Sequence, residues 1–156
     1  VVLPAEEDMS PITESDISRS FQAVWTSVFG QPLPAAPPRP FGAPAGRALV
    51  ARVRILGEVQ RTVVVVCSMD QARRLAAGFF GLDPASVEES LIRDVFGELA
   101  NMVGGLVKRH FPTSCRLSLP DVREVRTDEP ETGPSVQVLF DCGDAPLAVR
   151  LVQNPS

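Results

Sequence analysis

Four consecutive valines, Val63 to Val66, lie inside the apolar run Val59 to Cys67. A strand turns successive side chains to opposite faces, so this run puts β-branched side chains on both. It therefore reads as a central strand of a sheet covered on both faces, as in a sheet packed on helices. Just upstream, Leu49 to Leu56 alternates Arg52 and Arg54 against Ala51, Val53 and Ile55, with Gly57-Glu58 between the two runs. The pair reads as a hairpin.

Segments that could cover such a sheet are marked by their period. From Thr13 to Phe29, Ile17, Phe21, Val24, Trp25 and Val28 recur at three- and four-residue steps, and Thr13 stands three residues before Asp16 as an N-cap with an acidic partner. This helix should end at Gly30. Ser68 and Gln71 repeat the capping pattern for a helix through Leu75 and Phe79 that stops near Gly81. Asp83-Pro84, followed by a Ser86 to Glu89 box, opens the longest helical stretch, which runs to about His110 before Pro112.

Three more strands are expected: Ser114 to Leu119, Val136 to Cys142 and Leu147 to Val152. Gly143-Asp144-Ala145-Pro146 joins the last two as an antiparallel hairpin, and Asp128 to Gly133 reads as a charged loop. Strands, helices and then strands again favour an α+β layer sandwich, a mainly antiparallel β-sheet packed against the long helix and its flanking helices, over an alternating parallel fold. At 156 residues the chain is the size of one domain, expected over residues 13–153 between short tails at 1–12 and 154–156. Inside it, residues 31–46 contain six prolines and form an extended loop.

Composition excludes several functions. The net charge of −4 gives no means of neutralising a row of phosphates, which argues against nucleic acid as a partner. No run approaches the roughly 18 apolar residues of a membrane-spanning helix, and Glu6, Glu7 and Asp8 stand where an export signal would be basic. Cys67, Cys115 and Cys142 are odd in number, far apart and set in apolar surroundings, so they read as buried reduced thiols in a cytoplasmic protein. With one histidine and no tyrosine, a multi-histidine metal site is out, and neither a P-loop nor a GxGxxG fingerprint occurs. His110, beside Lys108 and Arg109, is explained by the preference of helix C-termini for cations.

The long helix carries the remaining chemistry. Leu91, Ile92, Val95, Leu99, Met102, Val103 and Leu106 form its apolar stripe. At about 100° per residue, with Asp94 as zero, Glu98 falls near +40°, Asn101 near −20°, Gly97 near −60° and Gly105 near +20°. Acid, acid, amide and glycine thus share one side of the helix. Each interior glycine costs about 1 kcal/mol relative to alanine, so Gly97, Gly104 and Gly105 need compensation. Two readings of the spacing stand. Either the glycines admit another element of this same fold while the polar residues are solvated, or they let a partner come close to an exposed acid and amide.

The segment Asp94-Val95-Phe96-Gly97-Glu98-Leu99-Ala100-Asn101-Met102-Val103-Gly104-Gly105 resembles the D-x-x-x-E-x-x-N signature of the CheC/CheX/FliY phosphatases of bacterial chemotaxis. Its continuation to Lys108 is most similar to CheX. The likeness extends over about residues 13–153, through the Gly57 turn and the Ser118-Leu119-Pro120 strand end, and the motif occurs once, whereas CheC commonly carries two copies. What the resemblance implies is hydrolysis of the aspartyl phosphate on a CheY-like response regulator. By similarity, Asn101 would orient the attacking water and Glu98 would pair with the receiver's lysine. Asp94, Gly97, Gly104, Gly105 and Lys108 would support the site or touch the partner. No cofactor or metal of this chain's own is implied; Mg²⁺ is expected in the partner receiver. CheX-type domains also resemble one another as homodimers joined at sheet edges. Two alternatives remain: a non-catalytic module of the same fold that binds a phosphorylated receiver or belongs to a flagellar switch, and a stripe that is an internal packing groove.

Overall fold

Thr13 starts the first helix through a reciprocal pair of bonds. Its hydroxyl accepts from the Asp16 N–H at 3.3 Å, and the Asp16 carboxylate accepts from the Thr13 N–H at 2.9 Å. Two of the N–H groups left without partners at a helix start are thereby satisfied. The helix, α1 (Glu14–Phe29), ends where Gly30 adopts φ 80° and donates its N–H to the Thr26 carbonyl. Its inward face, Ile17, Phe21, Val24 and Trp25, is buried, with Phe21 stacked on Phe140 at 4.4 Å between ring centroids. The structure, a computed structural model, describes residues 11–31, 47–126, 135–141 and 146–153. The loop at 32–46, the segment Asp128 to Gly133, the turn at 142–145 with Cys142, and residues 1–10 and 154–156 lie outside the described residues.

Strands β1 (Ala48–Leu56) and β2 (Arg61–Ser68) form the expected hairpin, pairing Val50 with Val66 and Val53 with Val63. Beyond β2 lie β6 (Pro146–Gln153) and then β5 (Ser135–Asp141), all antiparallel. The valine run does what its period requires. Val63 and Val65 join the main core beneath the helices, while Val64 and Val66 join a second apolar cluster on the other face with Val50, Leu139, Ala148 and Val152.

Ser68 caps α2 (Met69–Phe80) by accepting from the Gln71 N–H at 3.1 Å, and Gly81 ends that helix at φ 66°. The long helix starts later than expected. Asp83 caps only a single 3-10 turn, Pro84–Ser86, and α3 spans Glu89–Lys108 with Glu88 at its N-cap and no side-chain cap. The Ser86 to Glu89 box does not form because Val87 lies between, extended at φ −87° and ψ 123°, to place its side chain in the core. That burial outweighs one local capping bond.

The second correction concerns the strand expected over Ser114 to Leu119. Only β3 (Arg116–Leu117) pairs there, because Pro120 has no N–H and the chain kinks before it. A strand that was not expected, β4 (Asp121–Val125), follows at once, and both β3 and β4 pair with the same edge of β1. The result is a six-stranded sheet with helices on one face, an α+β layer sandwich. Cys67 and Cys115 are buried free thiols.

Candidate active site

Helix α3 is fixed by what it buries. Ile92, Phe96, Ala100, Val103 and Val107 are buried, while Leu91, Val95, Met102 and Leu106 are only half-buried. The inward stripe is therefore centred one position away from the expected one, on Phe96 and Val103. On the other side Asp94 and Glu98 are exposed and Asn101 is half-buried. None of the three forms a hydrogen bond or ion pair among the described residues. A stripe packed inside the fold would have placed Glu98 under a strand; its exposure removes that reading.

The glycines divide. A Cβ on Gly97 would meet Val122 Cγ2 at 3.1 Å and Pro120 at 3.6 Å, and one on Gly104 would meet Val53 Cγ1 at 3.1 Å and Leu117 at 3.7 Å. Both glycines are buried, so the expectation that they contact a partner is corrected: they admit β1, β3 and β4 of this same chain. The reason is angular, since at about 100° per residue both lie some 60° to 80° round the helix from Asp94, on the flank that faces the strands. Gly105 and Lys108 are half-buried, and the nearest atom to a Cβ on Gly105 is Leu117 Cδ1 at 4.0 Å.

The close approach at Gly97 leaves an open cleft of about 300 Å³ lined by Arg93, Asp94, Gly97, Glu98, Pro120 and Val122. Glu98 also borders an apolar groove whose walls come from α1, α2 and α3, including Phe29, Leu75, Phe79 and Met102. One carboxylate thus stands between a polar recess and an apolar one. Arg93 donates to the Val122 carbonyl at 3.4 Å and lies 3.7 Å from Glu124, which accepts from Arg47 at 2.6 Å; Arg47 also donates to Glu89 at 2.8 Å. The Arg47 guanidinium holds the Glu124 carboxyl below the usual carboxylate range. These charges tie the start of α3 to β4 and set the far wall of the cleft.

Sequence reading missed Arg93, Pro120 and Val122 as lining residues, because β4 was not anticipated. The arrangement offers an exposed carboxylate and a carboxamide about one helical turn apart, with no nucleophile and, among the described residues, no His/Cys/Asp/Glu group able to hold a metal ion. An amide can accept and donate hydrogen bonds without titrating, so this pair suits the positioning of another molecule's reacting groups.

Comparison with known families decides the assignment. A model described as "CheX: Chemotaxis phosphatase CheX" matches residues 49–140, more than half of the chain. The chain belongs to the CheX family. The matched span runs from β1 into β5 and contains the whole of α3. Solved structures share the CheX fold at low identity. A CheC-like protein from Shewanella sp. PV-4 aligns with TM-score 0.71 at 15% identity, covering 90% of this chain and 96% of that one. The CheX of Vibrio vulnificus aligns with TM-score 0.69 at 15% identity, with 90% and 95% covered. A CheX from Borrelia burgdorferi, solved in a CheX-CheY-BeF3-Mg²⁺ complex, aligns with TM-score 0.68 at 12% identity, with 90% and 97% covered. No curated protein matches the sequence. Among the described residues, no helix of this CheX-family chain is long and apolar enough to cross a membrane.

Proposed function

We propose that this chain is a phosphatase of phosphorylated CheY-like receiver domains, acting in the cytoplasm through Glu98 and Asn101. The observation that carries the reading is that these two side chains leave one face of α3 beside an open cleft, neither engaged within the chain, in a member of the CheX family. The comparison with a CheX solved together with CheY supports the class of partner.

An acyl phosphate on a receiver is held by that domain's own Mg²⁺ and lysine, so the visiting protein has mainly to place a water in line with the scissile bond. Asn101 takes that part. Its carbonyl oxygen accepts from the water while its NH₂ donates to a phosphoryl oxygen, fixing the water's lone pair toward phosphorus. The water oxygen bonds to phosphorus, the bond from phosphorus to the aspartyl oxygen breaks, and the products are inorganic phosphate and a free aspartate carboxylate. Glu98 pairs with the receiver's lysine, a contact that strengthens once docking excludes water, and so sets the register of Asn101. Asp94, earlier on the same face, supports the docking and takes no proton. The same family reading gives a homodimer, for which the outer edge of β5 is open among the described residues.

The test is the rate at which aspartyl phosphate is lost from receivers encoded in the same genome, with Mg²⁺ present, on addition of this chain. Wild type should accelerate the loss, Asn101→Ala should reduce kcat by about 10²-fold or more, and Glu98→Ala should act mainly on KM. If receivers bind without any acceleration, the phosphatase assignment is wrong and the chain is a recognition module.

A further inference from the structure

We propose that Leu119 is the apolar anchor by which a phosphorylated receiver docks on this chain, a role that rests on the phosphatase reading and adds to it a contact outside the Glu98/Asn101 pair. Single exposed apolar residues are ordinary on protein surfaces, so exposure alone would carry nothing. Leu119 differs in how it is held and where it stands.

At 88% it is by far the most exposed large apolar side chain among the described residues. Yet its backbone is pinned. The Ser118 N–H donates to the Arg54 carbonyl at 2.8 Å, the Ser118 hydroxyl accepts from the Arg54 N–H at 2.9 Å, and the same hydroxyl donates to the Leu119 carbonyl at 3.1 Å. Pro120 follows with its fixed φ, and β3 and β4 secure the corner to β1 on both sides. A side chain presented on so constrained a corner loses little backbone entropy when a partner covers it.

Its position follows from the glycines. Leu117 lies over Gly104 and Gly105, and Pro120 over Gly97. The helical rise from 97 to 104 is about 10.5 Å, and three extended residues from 117 to 120 cover about 10 Å, so the strand segment runs beside α3 in step with it. Leu119 is thereby level with Asn101, midway between the two glycines. Pro120 and Glu98 line the same cleft, so an apolar knob, an acid and an amide stand together on one rim. A receiver that meets Glu98 and Asn101 with the groups around its acyl phosphate must cover this corner, and the chemistry it presents there is an apolar recess beside its active site.

The experiment is calorimetric titration with a receiver activated by beryllium fluoride and Mg²⁺, alongside phosphate-release kinetics and thermal melts. Burying a leucine is worth a factor of about 10 to 100 in Kd, so Leu119→Ser should weaken binding by that factor, and Leu119→Met should bind nearly as wild type. KM should rise in step while kcat stays within about twofold and Tm is unchanged. Leu119→Ser binding like wild type would overturn the proposal and leave the phosphatase reading intact, which Asn101→Ala tests separately. If wild type binds no receiver at all, both fail; if Leu119→Ser alters self-association and not receiver affinity, the corner is a contact between copies and the proposal is wrong.

Discussion

Gly104 and Gly105 are adjacent in α3, and replacing each with alanine should move stability in opposite directions. Alanine in a helix interior gains about 1 kcal/mol over glycine from backbone entropy alone. At Gly105 nothing opposes the gain, because the nearest atom to the new methyl is Leu117 Cδ1 at 4.0 Å, and the last turn of the helix reduces it to about 0.5–1 kcal/mol. At Gly104 the methyl meets Val53 Cγ1 at 3.1 Å. Val53 is fully buried in β1, opposite Val63, and its branched side chain has one stiff rotamer, so it cannot retreat without shifting the sheet. Overpacking of this kind costs about 1–3 kcal/mol, and Gly104→Ala should therefore lose about 1 kcal/mol net. The two variants should differ by about 2 kcal/mol in equilibrium urea unfolding, or about 4–8 °C in Tm for a chain of this size. Gly97→Ala is the intermediate case, since its 3.1 Å neighbour is Val122 on the half-buried edge strand β4, which can yield. Equal stabilisation by Gly104→Ala and Gly105→Ala would refute the claim that Gly104 exists for the approach of β1.

Acid should weaken the fold at its corners. The Asp16 carboxyl is held below its usual range by the Thr13 N–H first and Arg19 next, and Glu124 by Arg47, so their contribution is complete above the unfolded carboxylate values near 4 and is lost as pH falls through the lower folded ones. Unfolding midpoints should be flat from pH 7 to 5 and fall below about 4, and Arg47→Met should remove the Glu124 part of that fall; a midpoint that rises on acidification would contradict it. A homodimer joined at the edge of β5 should sediment at twice the chain mass at micromolar concentration, and a monomer at about 100 μM would dismiss that interface.

Elements whose signals are local were legible in the sequence. The Thr13/Asp16 box and Gly30 define α1 to the residue because each reports on backbone groups within one turn of itself. Four valines placed β2 in the middle of the sheet because only a strand covered on both faces can hide them. β4 was missed because Asp121, Arg123 and Glu124 leave it little apolar alternation; it is a strand only because β1 offers it an edge. Ser114 to Leu119 was overextended for the converse reason, an alternating pattern with no partner beyond Leu117. In the candidate site, the angular positions of Asp94, Glu98 and Asn101 followed from helical period alone, and the structure leaves Asp94 and Glu98 exposed with Asn101 half-buried beside them. What period could not supply was the other wall. Arg47 and Glu124 are 77 residues apart, and nothing in either local sequence connects them.

The lack of hydrogen bonds to Glu98 and Asn101 says how their geometry must be maintained. Many polar sites orient a side chain by bonding its other end, but here the backbone of α3 alone sets where the two groups start. That backbone is gripped on one flank by Val53, Leu117, Pro120 and Val122 against Gly104 and Gly97, and on the other by Phe96 and Leu99 in the core shared with α1 and α2. Precision in the site is therefore a consequence of packing, and the glycines that looked like openings for a partner are what bring the second wall close enough to build a cleft. Substitutions that loosen the helix against the sheet should then impair turnover even where no reacting group is touched, because an amide displaced by about 1 Å loses much of its advantage in aligning a water.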